Sequence, residues 1–204
     1  MLTDSSAYFS INHPFDVYLS PWDNTNSPPS AELLSAMLPS GLQLISDVKA
    51  LESDCLLQLR HLDDEAKTVV EFLKLQSRKI DMVLQHVMAQ EQYEGDKYAA
   101  THFGGSGFTI ISTEPLELGL EFKATLHIKE ELVALLSIAK VQSCRLLEQA
   151  QSKLISTPND SNHTVAHYAC EFSFTVIQES DVEQLVKASL SLQQKQLKLR
   201  QLAR

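Results

Sequence analysis

The feature that most constrains this chain is the change of hydrophobic period between Lys97 and Ser112. Before it, the stretch from Leu42 to Gln92 holds no glycine or proline, and its apolar residues recur in steps of three and four. After it, apolar and polar residues alternate. A pattern of period 3.6 does not settle as a strand, nor one of period 2 as a helix, so helices come first and a small sheet second. The junction, K-Y-A-A-T-H-F-G-G-S-G-F-T-I-I-S, carries Gly104, Gly105 and Gly107, three of the chain's six glycines. Crowding of that kind requires backbone at positive φ or the close approach of another group.

In the helical part, apolar residues fall at Leu44, Val48, Leu51, Cys55 and Leu62, then at Ala66, Val69, Leu73, Ile80, Val83 and Val87. These are heptad steps. The phase slips between Leu62 and Ala66, where Asp63, Asp64 and Glu65 supply N-cap and first-turn acids. The slip marks either a turn between two helices or a stutter within one. A helix from Asp64 to Gln92 would run roughly 43 Å, whereas a domain of the length of Tyr98 to Gln178 has a diameter near ~30 Å. Its stripe must therefore be covered by the first helix, by another subunit, or by both. Gln76 and Gln90 within it suit register-setting positions. Val69, Leu73, Ile80, Val83 and Val87 are the candidate oligomer interface.

The rest divides readily. Residues 1–30 form a lead-in in which Phe9 and Ile11, then Phe15, Val17 and Leu19, alternate as short strands, and a linker follows from Asp23 to Pro29. Trp22, the only tryptophan, is expected to pin this lead-in to the body. Residues 31–96 are helical, beginning with a short helix from Ser30 to Met37 that Pro39 breaks. Residues 97–178 form the β-domain. Its strands are expected at Phe108 to Ser112, Phe122 to Ile128, Leu132 to Leu136, Ser137 to Leu147 and His163 to Thr175, with a loop from Ser156 to Asn162. Short antiparallel strands at this spacing suggest a small barrel. Residues 179–204 form a C-terminal helix, with Ser180 and Glu183 as a capping box and a basic end at Lys195, Lys198, Arg200 and Arg204.

Composition excludes several classes. A net charge of −9 argues against a DNA- or RNA-tracking protein, which needs a basic surface to release counterions. Cys55, Cys144 and Cys170 are odd in number and lack CxxC spacing, so reduced core thiols are expected in place of a disulfide framework or zinc cluster. No window reaches the ~18 apolar residues of a membrane span, and the start lacks a signal pattern, which points to the cytoplasm. The seven histidines never form H-E-x-x-H, and G-G-S-G is neither a phosphate loop nor a hydrolase elbow. His163 and His167 fall on one strand face, too far apart to share a metal comfortably. The chain is read as a non-enzyme that requires no metal or cofactor.

An ordered set of short motifs resembles the PilZ domain family, bacterial sensors of cyclic di-GMP. The set comprises a helix L-K-L-Q-S-R-K-I-D-M-V-L, an S-x-G-F lead into strands, P-L-E-L-G, an A-x-V strand and C-E-F closing the sheet. The resemblance implies an α+β chain: a six-stranded antiparallel PilZ-like barrel with long N-terminal helices and a C-terminal helix. The long heptad helix further resembles an atypical branch whose helices assemble tetramers, so a homo-oligomer, dimer or tetramer, is expected. Partners among other signalling or motility proteins are implied as well. The family grips its nucleotide through R-x-x-x-R before the barrel and [D/N]-x-S-x-x-G on it. Placed on Gly107, the second motif meets His102 and Gly104 where the acid or amide and the serine belong, and the chain contains no R-x-x-x-R. Lys97 is the one base nearby, a point charge without a guanidinium's paired donors or stacking face. Two readings follow. One is an oligomeric interaction module with a degenerate nucleotide motif. The other is a direct cyclic di-GMP receptor that uses Lys97, His102, Gly104 and Gly107.

Overall fold

In a computed structural model of the full chain, the residues described are 10–22, 29–59, 67–147 and 166–202. Six antiparallel strands close into a barrel in the order β1-β2-β3-β6-β5-β4. In chain order the elements are β1 (Ser10–Pro21), α1 (Ala31–Ala36), α2 (Ser40–Leu59), α3 (Lys67–Gln90), β2 (Asp96–Gly104), β3 (Gly107–Ser112), β4 (Glu121–Ile128), β5 (Val133–Leu146), β6 (Tyr168–Val176) and α4 (Glu179–Leu202). The α+β class and the six-stranded barrel are as expected, but the long helices are not N-terminal to the barrel. β1 precedes them and pairs with both β2 and β4, so the helical segment is inserted between the first and second barrel strands. The lead-in of residues 1–30 is thus in part barrel wall, and the β-domain is not confined to residues 97–178.

The barrel interior follows from strand parity. Ile11, Phe15, Val17, Phe103, Phe108, Ile110, Leu126, Val141, Cys170 and Phe172 point inward and are buried. Phe108 stacks on Phe172 at 4.9 Å between ring centroids, and Phe15 meets Phe103 edge-on at 5.3 Å. Leu185, Ala188 and Leu192 of α4 join the same core and seal one end. The capping box is not formed. Ser180 already lies in the first turn, and the carbonyl of Gln178 accepts from Asp181 and Val182 N–H, both at 3.1 Å.

One sequence expectation fails on β5, and the neighbouring β4 shows the reason. Leu132–Leu136 and Ser137–Leu147 are not two strands, because β5 runs unbroken from Val133 to Leu146. β4 is buried on both faces at its end, Thr125 and His127 included. Helices cover the outside of this wall: Leu42, Ile45, Leu84 and Met88 pack on Leu132 and Ala134, while Leu34 of α1 packs on Leu136 and Ile138. A strand buried on both faces loses its alternation and reads as a continuous apolar run. Trp22 packs beside Leu34, Leu136 and Ile138, and its backbone N–H donates to the Glu121 carbonyl at 3.0 Å. It does anchor the end of β1.

α2 and α3 lie antiparallel. Lys49 bridges Asp81 at 2.6 Å and Glu52 at 2.8 Å, and a methyl group added to Gly41 would meet the Glu91 side chain. The start of α2 therefore sits beside the end of α3, which rules out one straight helix from 42 to 92. The phase slip at 62–66, the proposed loop at 156–162, Phe9, most of the linker at 23–29, His163 and Arg204 lie outside the described residues. Among the described residues, no helix is long and apolar enough to cross a membrane.

Candidate functional site

The hairpin leaves an apolar face uncovered. At 100° per residue, Val69, Phe72, Leu73, Ile80, Val83 and Val87 fall within roughly 100° of the α3 surface. Leu84 and Met88, which pack on α2, lie about a quarter-turn round from its centre. Val69 is 57%, Leu73 41%, Ile80 48% and Val83 63% exposed, whereas Val87 is half-buried. Leu44 and Leu51 on α2 are exposed too, because that helix uses Leu42 and Ile45 for its contact with α3 and the barrel. The heptad positions on both helices are thus mostly the ones the fold does not consume. No charged residue stands in the α3 stripe.

A second feature lies on the barrel's outer face. A groove of about 810 Å³ is bordered by Asn12, Thr101, His102, Gly104, Gly107, Thr109, Arg145 and Glu171, among others. Its floor is one polar row crossing five strands, in which Asn12 pairs with His102, His102 with Thr109, Thr109 with Glu171, and Glu171 with Ser143. A bulge in β2 between Ala100 and His102 turns Thr101 and His102 both outward, and His102 Nδ1 lies 3.0 Å from Thr101 Oγ1. Arg145 donates to Glu171, which also accepts from Ser143 Oγ at 2.9 Å. The groove's guanidinium is thereby already engaged by a carboxylate.

Gly105 and Gly107 of the junction are there for close approach and not for a left-handed turn. Among the glycines, positive φ occurs at Gly95 and Gly119. A Cβ on Gly107 would lie 1.9 Å from the Phe172 carbonyl oxygen, and one on Gly105 would press on Val182 and Val186 of α4. Gly107 is what lets β3 sit against β6.

Lys97 is placed apart from this groove. It lies at the other end of β2, five residues from His102 and hence roughly 17 Å along the strand. Its ammonium pairs with Asp16 at 3.1 Å, and Lys129 holds the same carboxylate at 2.7 Å. Burial raises the Asp16 pKa, but the two lysines more than offset this and hold it below the usual carboxylate range. Beside Asp16 on the neighbouring strand is His127, 3% exposed, with its Nε2 unpartnered. Burial, reinforced by Lys129, lowers its pKa to about 4, so the ring is neutral. Tyr93, from the segment after α3, stacks on Tyr18 and tilts against His127. The structure thus gathers His102, Gly104 and Gly107, and puts Lys97 in a buttress between β1, β4 and the hairpin. Among the described residues, no three His, Cys, Asp or Glu side chains converge as a metal site.

Arg145, Glu171, Thr109 and Asn12 escaped the sequence reading. Each sits on an outward parity, but only strand pairing brings them together, and a single sequence does not print that pairing.

No protein-family model matches the chain, and no curated protein matches it. Solved structures do. A tetrameric PilZ domain from Xanthomonas campestris, described as self-assembled through an unusual helical bundle, superimposes with a TM-score of 0.50 at 12% identity, covering 94% of this chain and 91% of that one. The PilZ domain of Escherichia coli YcgR, solved with cyclic di-GMP, covers 52% of this chain and 77% of that one at 14% identity and a TM-score of 0.39. The Bacillus subtilis inhibitor of motility covers 51% and 44% at 14% identity and 0.36. The fold is that of a PilZ domain.

Proposed function

We propose that this chain is a PilZ-like regulatory protein of bacterial cyclic di-GMP signalling, working in the cytoplasm as an oligomeric interaction module and not as an enzyme. Motility, pili or surface attachment is the setting, and other signalling or motility proteins are its partners. The observation that carries this reading is the exposed, charge-free stripe of Val69, Leu73, Ile80 and Val83 on α3. Full burial of one such side chain stabilises by about 1.5–3 kcal/mol. Covering half the surface of these four contributes roughly 4 kcal/mol, close to the whole stability of a small domain. The near full-length likeness to a PilZ domain that self-assembles through a helical bundle supports the same use of the helices. Replacing Ile80 by Asp plants a charge in the stripe and is expected to lower the oligomer mass in light scattering, with helix content by circular dichroism unchanged. An unchanged mass removes the stripe from the interface.

A specific observation favours a second reading, that of a direct cyclic di-GMP receptor: His102, Gly104 and Gly107 border one groove. Against it stands the pairing of Arg145 with Glu171, which leaves no guanidinium among the described residues lining the groove that a carboxylate does not already engage, while Lys97 is held by Asp16 away from it. Isothermal titration with cyclic di-GMP separates the two. The interaction module gives no heat at micromolar concentrations, whereas a receptor gives heat that His102→Ala abolishes. Gly107 is unsuitable for this test, because any side chain there collides with β6.

A further inference from the structure

Cys144 and Cys170 face one another across the β5–β6 ladder, residue directly opposite residue. Directly opposed residues of an antiparallel pair have Cα atoms about 4.5–5.5 Å apart, inside the ~4.4–6.8 Å that a disulfide spans. Their Cβ atoms, ~4.5–5.5 Å apart in such a pair, stand at or just outside the ~3.5–4.5 Å of a formed bridge. Closure therefore asks for an approach of about 1 Å. β5 has slack to give, because its register against β6 shifts between Val141 and Ser143, immediately before Cys144. Cys55, the third thiol, is exposed on α2.

We propose that Cys144 and Cys170 form a peroxide-oxidisable dithiol site on the barrel wall, closing to a disulfide and reopening with thiol reductant. The two sulfurs have separate parts. Cys170 is fully buried, and burial, with the neighbouring Cys144 thiol next, pushes its thiol up to about 12. It stays protonated at neutral pH and is the second to react. Cys144 is half-buried and is the thiol that meets a hydroperoxide. Its thiolate attacks one peroxide oxygen, the O–O bond breaks, and a sulfenic acid and hydroxide form. The Cys170 sulfur then attacks the Cys144 sulfur, and the S–O bond breaks. That oxygen leaves as water with the Cys170 proton. Two thiols are oxidised to one disulfide while hydrogen peroxide is reduced to two waters.

Closure has a place to be felt. On the same ladder, Ser143 opposes Glu171 and Arg145 opposes Ala169, and Arg145, Ala169 and Glu171 border the groove. Drawing β5 toward β6 moves the Arg145–Glu171 pair, so the groove differs between the two redox states. The strain of closure makes the bridge easier to reduce than an unstrained one, which suits a reversible modification.

The test uses the full chain carrying Cys55→Ser, treated with hydrogen peroxide, alkylated, and mapped by peptide mass spectrometry. The expected product is one intramolecular link between the peptides of Cys144 and Cys170, reversed by dithiothreitol and absent in Cys144→Ser. With Cys170→Ser added, Cys144 is expected to stop at a sulfenic acid that dimedone traps. The proposal is overturned if both cysteines remain alkylatable after peroxide, or if Cys144 advances to sulfinic acid while Cys170 stays a thiol. The Cys55→Ser chain alters no core residue, so its own result decides the matter even if Cys170→Ser fails to fold.

Discussion

At the scale of single residues, His127 is a buried ring whose Nε2 has no partner among the described residues and which the fold keeps neutral. Its pKa of about 4 lies below the ordinary value of 6.5, so the unfolded chain takes up the proton first as pH falls. The stability tied to its neutral form is complete above pH 6.5 and is lost as pH drops toward 4. The groups facing it are Tyr93 from the segment after α3, on which Tyr18 of β1 stacks, Asp16 from β1, Lys97 from β2, and Lys129 and Glu130 after β4. Between pH 7 and 5 the loss amounts to about 2 kcal/mol. Urea unfolding at the two pH values should show that drop in the native chain and a much smaller one in His127→Leu; equal drops contradict the assignment. His127 was legible as an alternate residue on β4 but not as a buried one, because the helix that covers it comes from elsewhere in the chain. Gly107 was legible as special, and Phe172 supplies the reason. Lys97 was legible as the nearest base, yet Asp16, from a strand before the helical insertion, claims it.

At the scale of elements, period was a reliable guide wherever one face of an element meets water. β3 buries Phe108, Ile110 and Ser112 in strict alternation, and α1 starts where Ser30 Oγ accepts from Leu33 N–H at 3.3 Å. It misled on β5, whose first seven residues are all buried, so that the run of Val133 to Ala139 gave no parity to read. β2 went unnoticed as a strand because its bulge before His102 interrupts the alternation of Tyr98, Ala100 and Phe103. The left-handed backbone of Leu132, φ 52°, turns β4 back into β5, and no side-chain pattern announces it. It is held there by packing against the hairpin.

At the scale of the whole molecule, the barrel was within reach of sequence reasoning, whereas its topology and the docking of the helices on its wall were not. β1 finds β2 across the entire helical insertion, and nothing local to either strand names the other. The heptad stripe takes its meaning from this arrangement. Because the hairpin docks through Leu42, Ile45, Leu84 and Met88, Leu44 and Leu51 on α2 and Val69, Leu73, Ile80 and Val83 on α3 are left over, and a free monomer would hold them in water. The most direct measurement is light scattering of the unmodified chain over a series of concentrations. The account predicts a constant mass at a whole-number multiple, dimer or tetramer, of the single chain. A mass equal to one chain throughout would contradict it.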